Sequence, residues 1–234
     1  MSTSGFATFN LDLVELVEEA YERVGSELRT GYDLKTARRS LDLMFANWAN
    51  RGVNMWTFEQ GSINLIPGQA TYDLPDDTVD LLEHVIRTGA GNVSTQADLT
   101  ITRISVSTYA TIPNKLTQAR PIQIWIERLE HPRITVWPVP DNSQPYILVY
   151  WRLRRLQNAG TGVNTMDVPF RFYEAMVAGL AYHLALKVSN GLERLQVLKA
   201  QYDEAWDLAS TEDREKAAVR WVPQPMFIGS SGGY

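Results

Sequence analysis

Cysteine is absent from the 234 residues. That excludes disulfides, thiolate nucleophiles and Cys-ligated zinc or iron–sulfur centres, and it agrees with a reducing compartment. Histidine is scarce: His84, His131 and His183 make the whole set. None stands in an HExxH pattern, no two have metal-ligand spacing, and each reads as a structural or surface histidine. No apolar run approaches the roughly 20 residues a membrane span needs. The opening MSTSGFATFN has neither the basic start nor the apolar centre of a signal peptide, so synthesis in the cytosol without a membrane stage is expected. A global basic field is missing too. The net charge of −5 draws the chain toward neither nucleic acid nor anionic lipid. Phosphate-cradling glycine loops, dinucleotide fingerprints and GxSxG elbows are all lacking.

What is present is an ordinary globular composition, 44% hydrophobic and 21% charged, at a length that suits one large domain or two small ones. Two helices come first. Over residues 10–24, Leu13, Val17, Ala20 and Val24 recur at helical spacing, with Asn10 as a candidate cap and Gly25 as a stop. From Asp33, another candidate cap, the stripe Leu34, Ala37, Leu41, Met44, Phe45 and Trp48 runs to Gly52.

The period then changes to two. Residues 61–66 and 70–74 flank Pro67-Gly68 and suggest a hairpin. Residues 81–87 predict a strand, 89–98 a loop and 105–110 a short helix. Alternation around Ile124, around Ile134 and from Ile147 to Leu153 predicts an antiparallel meander joined by turns rich in proline, Asp and Asn.

Helical period returns after Asp167, a candidate cap, with Pro169 in the first turn. Tyr173, Val177, Leu180, Leu184 and Val188 form its stripe. Ala175, Ala178, Gly179, Ala181 and Ala185 keep this helix thin, and a closely packed neighbour would explain Gly179. A last helix carries Leu195, Leu198, Tyr202, Ala205, Trp206 and Ala209 and runs on through a Glu212–Lys216 pair. The predicted class is α+β. A four-helix body comes from the two helix pairs, residues 1–54 and 165–216. An antiparallel β module, residues 55–164, is inserted between them, and residues 217–234 form an extended C-terminal arm.

Chemistry-bearing patterns are few. Asp73, Asp76, Asp77, Asp80 and Glu83 form an acidic cluster, but their spacing matches no calcium loop, and Asp73 and Asp76 flank Leu-Pro as turn formers do. A carboxylate-dependent hydrolase would use Asp76, Asp77, Asp80 and Glu83, and would need one of them with a raised pKa. The one basic concentration is Arg152, Arg154 and Arg155. On a strand, Arg152 and Arg154 share a face with Tyr150, which could contact phosphates and stack on bases, or meet a neighbouring subunit. No catalytic residue, metal ligand or cofactor is assigned.

The final stretch, WVPQPMFIGSSGGY, is apolar yet broken by Pro223 and Pro225, which neither a helix interior nor a central strand accommodates. Ordering it costs backbone entropy that burying Trp221, Val222, Met226, Phe227 and Ile228 does not clearly outweigh. Extra help is therefore needed, from a partner groove or from the chain's own helices as a lid.

Several stretches together resemble tailed-phage head-to-tail adaptor proteins, also described as head-completion, connector or packaged-DNA-stabilisation proteins. They include WANRGVNMWTFEQGSINLIPGQATYDLPDDTVDLLEHVIR, ITVWPVPD, YILVYWRLRR and DVPFRFYEAMVAGLAYHLALK, within a likeness running from about residue 41 to residue 225. The resemblance implies a structural, non-enzymatic virion protein with a helical core and a β elaboration. It implies a ring, typically of twelve copies, beneath the portal protein at the neck between capsid and tail, assembled in the host cytoplasm. The ring would extend the DNA channel, help retain packaged DNA without sequence-specific binding, and offer a platform to the next tail or nozzle protein. It further implies that the C-terminal arm docks on the portal, which makes Arg220, Trp221, Val222, Pro223, Pro225, Met226, Phe227, Ile228 and Tyr234 the candidate portal-binding residues. Arg152, Arg154 and Arg155 are then candidates for a subunit interface or a DNA-facing surface.

Overall fold

A computed structural model describes residues 9–29, 31–51, 55–188 and 191–213. The expected arm, the Glu212–Lys216 pair and the Gly52 stop lie outside them. The α+β class read from the sequence holds: helices open and close the described chain, and eight strands lie between.

Helix α1 (Leu13–Val24) starts on a capping box. The Asp12 carboxylate accepts from the Glu15 N–H, and the Glu15 carboxylate accepts from the Asp12 N–H. Asn10 is therefore not the cap; it accepts a hydrogen bond from the Tyr173 hydroxyl instead. The reason is local, because Asp12 has a glutamate three residues on and Asn10 has Leu13. Gly25 ends the helix in the left-handed region, at φ 82°. Helix α2 (Gly31–Asn50) begins two residues before the expected start. Asp33 sits within its first turn, where the helix dipole favours a carboxylate.

Helix α4 (Tyr173–Ala185) follows a short 3₁₀ turn, Phe170–Phe172, which begins after Pro169. Asp167 does not cap it, because its carboxylate is committed to Arg154. Helix α5 (Leu195–Glu212) packs alongside, and the buried residues of α1, α2, α4 and α5 form one apolar cluster. At its centre Trp48 meets Phe172 and Trp206 at ring distances of 5.6 and 4.9 Å, and the Trp48 indole N–H donates to the Tyr202 hydroxyl at 2.8 Å.

The strands are β1 (Phe58–Leu65), β2 (Thr71–Asp73), β3 (Thr78–Thr88), β4 (Ala97–Thr100), β5 (Thr102–Ile104), β6 (Gln123–Glu127), β7 (Arg133–Trp137) and β8 (Tyr146–Arg154). They form two four-stranded sheets, ordered β1-β8-β3-β4 and β2-β7-β6-β5, with only the β5–β6 pair parallel. Leu81, Ile86, Leu148 and Tyr150 of the first sheet share an apolar cluster with Tyr72, Ile124, Ile134 and Val136 of the second. The expected short helix is present as α3 (Val106–Ala110), capped by Ser105.

Two strand pairings differ from the sequence reading. Residues around Pro67-Gly68 are not a hairpin: β1 pairs with β8 and β2 with β7, so this turn carries the chain from one sheet to the other. The Tyr72 hydroxyl bonds the Ile66 N–H at 2.9 Å and the Gln69 carbonyl at 2.8 Å, so a side chain ties the turn where a ladder would have. The meander is also incomplete. β6 and β7 pair, but β8 crosses to the centre of the other sheet. The connection contains Pro138, Pro140 and Pro145, which lack the N–H a continuing ladder requires. Among the described residues no helix is long and apolar enough to cross a membrane.

Candidate functional site: an arginine–carboxylate joint

Alternation along β8 puts Arg152 and Arg154 on one side of the strand, at the end of the sheet that faces the helices. The register sets Glu59 of β1 opposite Arg152, with Thr78 of β3 opposite Arg154. Arg152 is buried. Its guanidinium donates to both carboxylate oxygens of Asp77, to Thr78 Oγ1 at 2.9 Å and to Glu59 Oε2 at 2.8 Å. Arg154 donates to Glu59 Oε1 at 2.6 Å and makes a two-pronged pair with Asp167, one prong at 3.0 Å. Glu59 thus bridges the two arginines, and each guanidinium uses its planar fork, the strongest form of such a pair.

Asp167 extends this network into the helical core. Its backbone carbonyl accepts the Trp56 indole N–H at 2.9 Å, and the Trp56 ring lies 4.9 Å from Phe172. Two further links run parallel to it: the Ala159 N–H donates to the Asp42 carboxylate of α2 at 2.8 Å, and the Leu13 N–H to the Asn164 backbone carbonyl at 3.2 Å.

The electrostatics follow the geometry. The hydrogen bond from Arg152 holds the Asp77 carboxyl below its ordinary range. Burial works against charge on Arg152, but Asp77 and Glu59 outweigh it and its pKa rises. Asp167 likewise pushes Arg154 up. These shifts keep Asp77, Arg152 and Arg154 ionised near neutrality.

Arg152 and Arg154 are therefore engaged by carboxylates of their own chain, while the Arg155 side chain is exposed and only its backbone joins the network, the N–H donating to the Asp77 carbonyl at 2.7 Å and the carbonyl accepting from Arg154 at 3.1 Å. Tyr150 corrects the stacking reading: it is buried in the apolar cluster between the sheets and presents no ring to a base. The acidic cluster is divided among separate partners. Asp76 meets His131 at 2.9 Å, Asp77 meets Arg152, and Asp80 lies 3.0 Å from Arg103 and 3.7 Å from Arg128. Among the described residues no group of three or more acidic, His or Cys side chains could hold a metal ion. His84 and His183 are both held below their ordinary pKa, chiefly by burial.

Glu59 and Asp167 are the members that sequence reasoning did not find. Glu59 becomes visible only once β1 is known to pair with β8, and Asp167 was indistinguishable from a helix cap beside Pro169.

A comparison with curated proteins returned no match. The family model described as SU10 adaptor protein matches residues 12–223, from the capping residue of α1 through both apolar clusters and the joint between them. The chain belongs to the SU10 adaptor protein family, a phage head-to-tail adaptor family.

Proposed function

We propose that this chain is one subunit of a ring, of about twelve copies, that sits beneath the portal at the virion neck and continues the DNA channel toward the tail. The ring count follows the family resemblance. The family match over residues 12–223 carries the reading, because it spans helical and β parts alike. Closed rings need two different complementary surfaces on each subunit. A four-helix body and a β module inserted between α2 and α4 are suited to supply them. The joint built on Arg152 and Arg154 would keep the two parts in fixed orientation, as a subunit under load between head and tail requires. A net charge of −5 suits a wall past which DNA slides without being gripped, and retention of packaged DNA would come from closure of the channel. Arg155 remains as the exposed cation of its group for a subunit contact or for the DNA.

In this reading residues 217–234 reach the portal, and the opposite end of the ring receives the next tail protein. Weak individual arms add up across a ring through effective concentration. The hydrolase alternative is disfavoured by Asp77, whose pKa moves away from what a general acid needs. The nucleic-acid alternative is disfavoured by the internal pairing of Arg152 and Arg154. A chain ending after Arg220, tested by pull-down on purified portal rings, is expected to lose binding. Undiminished binding would remove the arm from the reading.

A further inference from the structure

An open groove of about 1270 Å³ runs between α1 and the start of α4. It is larger than the roughly 300–1,000 Å³ typical of small-molecule clefts, so a chain segment suits it better than a metabolite. Its apolar part holds two aromatic rings that are mostly in solvent, Phe9 at 75% and Phe170 at 77% exposure, with Tyr173 and Val177 beside them. Large exposed rings gathered in one groove mark an interaction site, whereas single exposed apolar residues do not.

The rim is acidic. Glu15, Glu18, Glu19, Glu22 and Glu174 line it against the single cation Arg23. Arg23 is shared by Glu19 at 2.9 Å and Glu174 at 2.7 Å, and Glu15 serves the capping box. Glu18 and Glu22 have no ion-pair partner among the described residues. The groove thus calls for a partner that is both apolar and basic.

The position where the described chain ends supplies one. Asp213, just past α5, is paired with Arg171, and Arg171 is the neighbour of the groove residue Phe170. The described chain therefore ends against Arg171, next to the groove residue Phe170 in sequence. Residues 214–228 follow in the sequence and contain Arg214, Lys216 and Arg220 against Glu215 alone, then Trp221, Met226, Phe227 and Ile228. The 13 steps from Asp213 to Met226 span at most about 45 Å. That exceeds the roughly 18 Å length of a 12-residue helix such as α1. Residues 1–8, which precede Phe9 in the sequence, carry no charged side chain to answer the glutamates.

We propose that, before assembly, this groove holds the chain's own residues 214–228, with the basic part along Glu18 and Glu22 and the apolar part on Phe9 and Phe170. The inference does not require the portal reading. If both hold, the portal must draw the arm out of the groove, and arm release becomes the step that confines ring formation to portals.

The absence of native cysteine makes the test clean. In the full chain, the pair Glu18→Cys and Met226→Cys is oxidised and the rate of intramolecular disulfide formation measured. The control pairs Met226→Cys with Leu43→Cys, a position exposed on α2 and outside the groove. The groove pair is expected to close about tenfold faster through its higher effective concentration. Adding Arg220→Glu, or raising salt, is expected to shrink that advantage. Equal rates for the two pairs overturn the proposal. Cross-linking that yields only dimers and scales with protein concentration also overturns it, by assigning the groove to another copy's arm. So does faster closure of Glu18→Cys with Phe6→Cys than with Met226→Cys, which would give the groove to residues 1–8. A normal closure rate combined with no portal binding by the full chain would leave this proposal standing and sink the portal reading alone.

Discussion

Gly179 lies where α4 passes close to its neighbours. A Cβ built there would be 2.5 Å from Met44 Sδ and 2.8 Å from the Tyr202 ring. Met44 has rotamers to spare, but Tyr202 is held by the Trp48 indole N–H on its hydroxyl and cannot yield as easily. Alanine at this position gains about 1 kcal/mol of helix propensity. Overpacking costs typically 1–3 kcal/mol. Gly179→Ala is therefore expected to lower stability by up to about 2 kcal/mol, read as a lower urea midpoint at unchanged slope. A rise in the midpoint would mean that the neighbours relax freely. The small residues of this helix were legible in the sequence as a sign of close packing; the identity of the neighbours, Met44 and Tyr202, was not.

Among the elements, β8 carries the most consequence. It is central in its sheet, and its arginines tie β1, the approach to β3 and the approach to α4 together. Asp77 is the titratable partner with a depressed pKa. Such a carboxylate contributes stability that is fully present above its unfolded-state value and is lost as pH falls through the folded value. Arg152 lowers the Asp77 pKa, so the loss falls in the acid range, below about pH 4. Asp77→Asn is expected to be less stable than the parent at neutral pH and to show a shallower decline below about pH 4, measured by urea unfolding across a pH series. Parallel decline of both proteins would show that Arg152 does not stabilise the charged form. Alternation on β8 was legible, and with it the shared face of Arg152 and Arg154. The partners were not, since strand register and ion pairs are set by segments far away in the chain. The sequence reading puts the start of α1 at Asn10 instead of Asp12, although the Asp12–Glu15 spacing is a capping-box signature and Asn10 offers only half of one.

In the whole molecule, two apolar clusters meet across a polar joint. Arg154 and Asp167 are its most enclosed ion pair, with side chains only 10% and 20% exposed. Removing one partner of an enclosed pair leaves the other charge poorly compensated, which costs about 3 kcal/mol where burial is complete and less here, since Glu59 still holds Arg154. The parent is expected to melt in one calorimetric transition, and Asp167→Asn in two, as the β and helical parts lose their coupling. A single transition in the variant would transfer the coupling to the hydrogen bonds at Ala159 and Asn164. The sequence by itself determined the α+β class, the faces of the helices and most strands, and the lack of thiol chemistry, because periodicity and composition are local properties. Tertiary structure alone decided that the turn at Pro67-Gly68 joins two sheets and that Arg152 and Arg154 bind their own chain. The carboxylates bonded to Arg152 lie 75 and 93 positions away, and only the folded register brings them within reach of it.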